Sequence, residues 1–154
     1  MIWGLLIVFL VAKTGVPANR KILDKVARNY LPGYHIECQT IESANIAICK
    51  KDEIIRYFVL SRDFCTHRGF NGTSNLGILF KEDCSVDQVW IVTSPDTRQY
   101  VNRIKQSGFL QQFKADDGKM KLITVTGATI TSQAMISTVR DVRNAMLDII
   151  PKIH

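Results

Sequence analysis

The alternation of apolar and polar residues divides the first half of the chain into one helix and several strands. Residues 19–30 carry apolar side chains at helical spacing, and Pro32-Gly33 stops the run, which predicts a short amphipathic helix. Residues 34–49 mix aliphatic and polar side chains as strands do. Residues 54–60 form a β-branched and aromatic run that predicts a further strand.

The second half begins with a hairpin pattern. Residues 76–80 and 88–92 are strand-like and are joined by a short polar segment, which favours an antiparallel sheet. Residues 93–97 break the second strand. Apolar residues at positions 100, 101 and 104 then predict a helix of about ten residues that ends at Gly108.

The last third predicts a strand, a bend and a long helix. Asp117-Gly118 turns the chain into a strand over residues 119–126, and Gly127 allows a tight bend. A helix is predicted from about Ser132 to Ile150. Its apolar residues fall on one stripe, namely Met135, Val139, Val142, Met146 and Ile149.

These elements predict an α+β fold, with helices packed on one face of an antiparallel sheet. The length of 154 residues suits one small domain. We assign residues 19–154 to this domain and residues 1–18 to a separate N-terminal apolar segment.

Residues 1–12 of that segment carry no charge. They are fewer than the about 20 apolar residues that a membrane-spanning helix needs, but they match the apolar core of a signal peptide. Small residues at positions 16–18 offer a cleavage point, whereas the positive Lys13 follows the apolar run instead of preceding it. We therefore expect residues 1–18 to be a signal peptide or a membrane anchor. The domain would be extracytoplasmic, in the periplasm or anchored at a membrane.

The net charge of +6 comes from scattered Lys and Arg residues. They form no basic run with interleaved aromatic residues, so the sequence indicates no nucleic-acid partner. The four cysteines, at positions 38, 49, 65 and 84, show no C-x-x-C spacing. This excludes the usual motifs of structural zinc, thioredoxin-type chemistry and haem attachment, and leaves disulfides and free thiols open.

His67, beside Cys65, is the one histidine in a position that suggests chemistry. No second ligand stands at helical spacing from it, and the surrounding glycines mark a turn. The sequence therefore predicts a surface histidine in a turn. It predicts neither a metal site nor a catalytic residue.

The junction between the predicted last strand and last helix is the most informative feature. Gly127 and Ala128 leave room for a ligand to approach the backbone, and hydroxyl residues line the junction, namely Thr126, Thr129, Thr131 and Ser132. The start of a helix attracts a phosphate group through its free N–H groups and its partial positive charge. Helix capping by Thr or Ser explains the same residues without a ligand.

The segment Thr126-Gly127-Ala128-Thr129 resembles the attachment motif of a family of FMN-binding domains. That family includes an FMN-carrying component of the sodium-translocating NADH:quinone reductase and its counterpart in the related ion-translocating ferredoxin oxidoreductase complexes. The resemblance implies FMN joined by a phosphoester to Thr129, with Thr126, Gly127 and Ala128 forming the phosphate seat. It also implies a flavin transferase that installs the group from FAD with a magnesium ion.

The resemblance extends over roughly residues 57–150. Gly69-Phe70-Asn71-Gly72 is similar to the family's Gly-aromatic-x-Gly turn, and residues 94–97 resemble its acidic-Thr segment. Asp96 and Thr97 would accordingly contact the flavin. One position departs from the family pattern: Ile123 stands where the motif commonly has Asp.

The function that the resemblance implies is electron transfer by an exported flavoprotein. Its partners would be the transferase and a membrane redox complex or another electron-transfer protein. The chain would be a carrier and not a complete enzyme, with Arg98, Arg103 or Lys105 near the flavin as candidates for tuning its charge. Two alternatives stay open: a small flavin reductase, and a non-flavin binding module that retains the fold.

Overall fold

The structure is a computed structural model, and it describes residues 16–153. The apolar run of the predicted signal peptide or anchor lies outside the described residues. The helices are α1 (Val16–Tyr30), α2 (Arg98–Gln106) and α3 (Thr129–Ile149), and the strands are β1 (His35–Ile41), β2 (Ala44–Lys51), β3 (Ile54–Leu60), β4 (Asn75–Phe80) and β5 (Val86–Thr93). Short 3-10 turns occupy Ser61–Asp63, Leu110–Ala115 and Ile150–Lys152.

The five strands form one sheet in the order β1-β2-β3-β4-β5, and every neighbouring pair is antiparallel. β1 and β2 are joined by Glu42 and Ser43, both with positive φ (50° and 74°). Positive φ at both central residues defines a type I′ turn, whose twist matches that of the strands. The predicted α+β class and antiparallel sheet are confirmed.

Helices cover both faces of the sheet, whereas the sequence predicted one covered face. On one face, Ile46 and Val59 belong to a cluster that includes Met135 and Val139 of α3. On the other face, Phe58 packs in a cluster with residues of α1. The reason lies in the central strands, which are apolar on both faces, so that each face has to be covered by a helix.

Residues 119–126 form no strand, contrary to the prediction. Within this segment, the side chain of Gln112 donates to the Ile123 carbonyl and accepts from the Ile123 N–H, each at 2.9 Å. The Gln112 side chain thus makes the backbone hydrogen bonds that a neighbouring strand would otherwise make to Ile123. The last helix also begins earlier than predicted, at Thr129.

The second helix agrees with the prediction, since α2 is followed by Gly108 with a φ of 76°. Within residues 16–153, no helix combines the length and the hydrophobicity that crossing a membrane requires.

Candidate cofactor site

The first turn of α3 carries no capping side chain. The residue before the helix is Ala128, preceded by Gly127 with a φ of +80°. The buried Ser132 hydroxyl accepts the Val125 N–H at 3.0 Å and donates to the Ala128 carbonyl at 2.8 Å, which holds the loop against the helix. Capping by Thr or Ser is therefore not what places hydroxyl residues here. Thr129 is the first helical residue and is exposed, beside backbone N–H groups suited to an anion.

The side chain of Arg103 lies against Gly127. A Cβ atom at position 127 would collide with the Arg103 Nη1 atom. Among the described residues, the guanidinium of Arg103 has no hydrogen-bond or ion-pair partner. Gly127 therefore admits a cation close to the start of α3, where it adds to the positive end of the helix dipole.

A cavity of about 210 Å³ opens beside this loop. Phe70 and Tyr100 form one wall, with their rings edge to face and their centroids 5.7 Å apart. Phe70 is 54% exposed and Ile130 is 58% exposed, so large apolar surfaces face the solvent here. Such a surface suits a flat aromatic ligand. Thr129 lines this cavity and also a second one of about 430 Å³ that includes His67 and Arg68.

Asp96 connects three segments behind this surface. Its Oδ1 accepts the backbone N–H of Asn71, and its Oδ2 accepts the Thr131 hydroxyl at 2.5 Å. A Cβ at Gly69 would collide with the same carboxylate, so this close approach requires glycine. Asp96 is 6% exposed, while Thr97 is exposed and accepts a hydrogen bond from the Asn71 amide at 3.3 Å.

Ile123 is held by its backbone and points its side chain into solvent. The side chain is 74% exposed, and residues 123–126 line a further cavity with the end of α2. A protein that binds the attachment loop would therefore meet Ile123 directly. Thr126 lies in the same cavity and is exposed.

Thr126, Gly127 and Ala128 lead into α3, which begins at Thr129, and Asp96 contacts the first turn of that helix through Thr131. The sequence places Thr131 among the hydroxyls of this junction but does not predict its hydrogen bond to Asp96, and it does not indicate Phe70 or Tyr100 as site residues. Phe70 could have been identified as a site residue from its position in the Gly-aromatic-x-Gly turn. Tyr100 was assigned to the apolar stripe of a helix, and its place at the cavity depends on how α2 packs.

A free helix start, a glycine beside a cation and an exposed aromatic wall define a domain that suits a phosphorylated aromatic cofactor. Residues 69–144 match the family model of the FMN-binding domain. FMN is the cofactor that the match indicates. The predicted family resemblance is confirmed. A comparison with curated proteins finds no match.

The described residues fit FMN in both of its parts. The start of α3, the Arg103 guanidinium and the Thr129 hydroxyl suit the phosphate. Phe70, Tyr100 and Ile130 offer apolar surface for the ring system.

Proposed function

We propose that this chain is an electron-transfer domain whose FMN is joined through its phosphate to the Thr129 hydroxyl. The observation that carries the proposal is the position of Thr129. It is an exposed hydroxyl residue at the first position of α3, in the segment that matches the FMN-binding domain. Gly127 precedes it by two residues, and the Arg103 guanidinium, which has no partner among the described residues, lies against Gly127.

The residues of the chain would bind and position the cofactor, while bound FMN supplies the transfer of one or two electrons. Thr129 would form the phosphoester. The N–H groups of α3 and the Arg103 guanidinium would offset the phosphate charge. Phe70 and Tyr100 would contact the ring system. Asp96 would act indirectly, because its carboxylate holds the turn at Asn71 and the Thr131 hydroxyl in place.

A carrier explains the shape of the site better than an enzyme with an enclosed substrate. The aromatic cavity is lined by the exposed side chains of Phe70 and Ile130 and does not enclose a ligand. A flavin bound here would keep part of its surface in solvent. Such exposure suits electron exchange with a protein partner.

The proposal includes the location and partners of the domain. A signal peptide or anchor in residues 1–18 would place it outside the cytoplasm or at a membrane. A flavin transferase would attach the FMN, and a membrane redox complex or another electron-transfer protein would exchange electrons with it. At position 123 the transferase would meet the apolar side chain of Ile123, where the motif commonly has a carboxylate.

Flavin fluorescence of the denatured protein tests the attachment. We would co-express the full chain with a flavin transferase and compare the wild type with Thr129→Ala and with Thr126→Ala, an exposed hydroxyl in the same loop. The proposal predicts a fluorescent band for the wild type and Thr126→Ala and a dark band for Thr129→Ala. A fluorescent Thr129→Ala band would contradict it.

Turnover separates the carrier from its alternatives. The purified flavinylated chain should accept electrons from a chemical reductant and pass them to an electron-acceptor protein, with no sustained oxidation of NADH on its own. Sustained NADH oxidation would favour the flavin reductase. A colourless native protein, purified after co-expression, would favour the non-flavin binding module.

A further inference from the structure

Three potential metal ligands converge on the side of α3, outside the flavin loop. The Cys65 thiol, a nitrogen of His67 and a carboxylate oxygen of Asp141 all lie within 4.8 Å of one another. His67 Nε2 and Asp141 Oδ2 are 2.5 Å apart. Cys65 and His67 come from the loop after β3, and Asp141 comes from the middle of α3, so the cluster joins two distant parts of the chain.

We propose that Cys65, His67 and Asp141 bind one Zn²⁺ ion, with water as the fourth ligand. Thiolate, imidazole and carboxylate are the three ligand types that zinc accepts in proteins, and three protein ligands leave one open position. A thiolate and a carboxylate also balance the double charge of the ion. The site would link the loop after β3 to α3.

The surroundings leave Asp141 available. Among the described residues, His67 is its only hydrogen-bond or ion-pair partner. The neighbouring Arg140 binds Asp116 and the Met120 carbonyl instead, so its charge is engaged elsewhere. A bound ion would therefore replace the His67–Asp141 hydrogen bond and the weak hydrogen bond that the Cys65 thiol donates to the Thr138 carbonyl.

The loop is held in place at both ends. Phe64 and Cys65 donate their N–H groups to the Ser61 carbonyl at 3.0 and 3.2 Å, and Gly69 donates to the Gly72 carbonyl at 2.7 Å. Cys65 is half-buried against the main core, with its thiol 3.9 Å from the Thr138 carbonyl of α3. Only the His67 and Asp141 side chains would have to move.

The size of that movement follows from zinc geometry. Ligand atoms about 2.0–2.3 Å from a tetrahedral zinc ion lie roughly 3.3–3.6 Å from each other. The His67–Asp141 pair would therefore open by about 1 Å from its metal-free distance, a change within reach of side chains near the surface. Burial and the nearby Asp141 charge raise the pKa of the Cys65 thiol, so zinc would displace a proton from it on binding.

The zinc ligands would not include the Thr129 hydroxyl, although His67 and Thr129 line the same elongated cavity along α3. Thr129 and Asp141 stand on the same helix, about 18 Å apart along its axis at 1.5 Å per residue. Zinc binding should therefore be the same in Thr129→Ala as in the wild type. A failure of the flavin proposal would leave the zinc proposal standing, and the reverse also holds.

Zinc titration of the full chain in a mild detergent, in competition with a chromogenic chelator, tests this proposal. We expect one ion per chain, and at least an about tenfold weaker affinity in Cys65→Ser, His67→Gln and Asp141→Asn, since even groups that only support a ligand commonly cost that much. Cys38→Ser and Asp148→Asn are the matched controls and should bind as the wild type does. Co²⁺ should give a thiolate charge-transfer band that Cys65→Ser lacks.

Stability measurements cover the case of a variant that folds poorly. Zinc should raise the melting temperature of the wild type more than that of Asp141→Asn at the same zinc concentration, because a ligand that binds only the folded state stabilises it according to its affinity. Asp141 is exposed, so its conversion to Asn should not impair folding by itself. Absence of stoichiometric zinc in the wild type, or wild-type affinity in any one of the three ligand variants, would overturn the proposal.

Discussion

The Thr131 hydroxyl donates a 2.5 Å hydrogen bond to the Asp96 carboxylate, and both residues are almost completely buried. Thr131 belongs to the first turn of α3, and Asp96 lies between β5 and α2. Because Asp96 also accepts the Asn71 N–H, this one carboxylate joins the turn at residues 69–72 to the first turn of α3. The geometry of the proposed flavin site would therefore depend on a contact that the flavin itself need not touch.

Thr131→Val should destabilise the protein by about 1–3 kcal/mol, because it leaves a buried carboxylate oxygen without its donor. Urea unfolding measures the change. Thr138→Val is the matched control, since Thr138 is buried on the same helix but donates only to the Ala134 carbonyl. Equal losses of unfolding free energy in the two variants would show that the hydrogen bond to Asp96 stabilises the fold no more than a bond within the helix.

Gly127→Ala should lower flavin attachment, because a Cβ there displaces Arg103 and strains a backbone with a φ of +80°. Gly108→Ala is the control for the strain alone. Its φ is +76°, and the nearest atom to its added Cβ is 4.0 Å away. Both variants should lose about 1–2 kcal/mol of stability from the left-handed backbone. Flavin fluorescence should fall only in Gly127→Ala, and a matching fall in Gly108→Ala would point to stability as the cause.

Ile123→Asp should increase the fraction of chain that a flavin transferase modifies, since it restores the carboxylate that is common at this position of the motif. The stability should stay within about 0.5 kcal/mol of the wild type, because the side chain is 74% exposed and its backbone bonds to Gln112 remain. Densitometry of flavin fluorescence at a limiting amount of transferase measures the effect. Leu147→Asp, at another exposed apolar residue, should leave the flavin-modified fraction of the chain unchanged.

The stability of the fold should decrease in alkaline solution. Burial raises the pKa of Cys49 from 9.0 to about 12. A raised pKa in the folded state means that stability is fully present below the unfolded value and is lost as the pH rises towards 12. Unfolding measured between about pH 8 and pH 11 should show a smaller decline in Cys49→Ala than in the wild type. An identical decline would exclude Cys49 as its source.

The sequence predicted the α+β class and the hairpin of β4 and β5 because these depend on local patterns, and its motifs predicted the FMN-binding family. It did not predict the position of α1 on the second face. Deciding that requires knowing that Ala47 and Phe58 are buried on the face opposite Ile46, which strand pairing determines. It also predicted a strand at residues 119–126, where the competing partner is the side chain of Gln112, eleven residues away.

Cys65 and His67, which follow β3, also show that sequence spacing does not predict contacts between distant parts of the chain. The sequence offered no third ligand at a short spacing, so His67 was predicted to be a surface residue of a turn. Asp141 is 74 residues further along the chain and meets His67 only because α3 packs beside the loop. Spacing rules detect metal ligands that share one local segment, and this cluster does not.

Mass spectrometry of peptides from the flavinylated full chain locates the flavin on the sequence. The peptide containing Thr129 should gain the mass of one FMN less one water, and fragmentation should assign the gain to Thr129 and not to Thr126 or Thr131. An unmodified Thr129 peptide from yellow protein would contradict the phosphoester and favour non-covalent FMN. A gain on any other residue would contradict the assignment of the site.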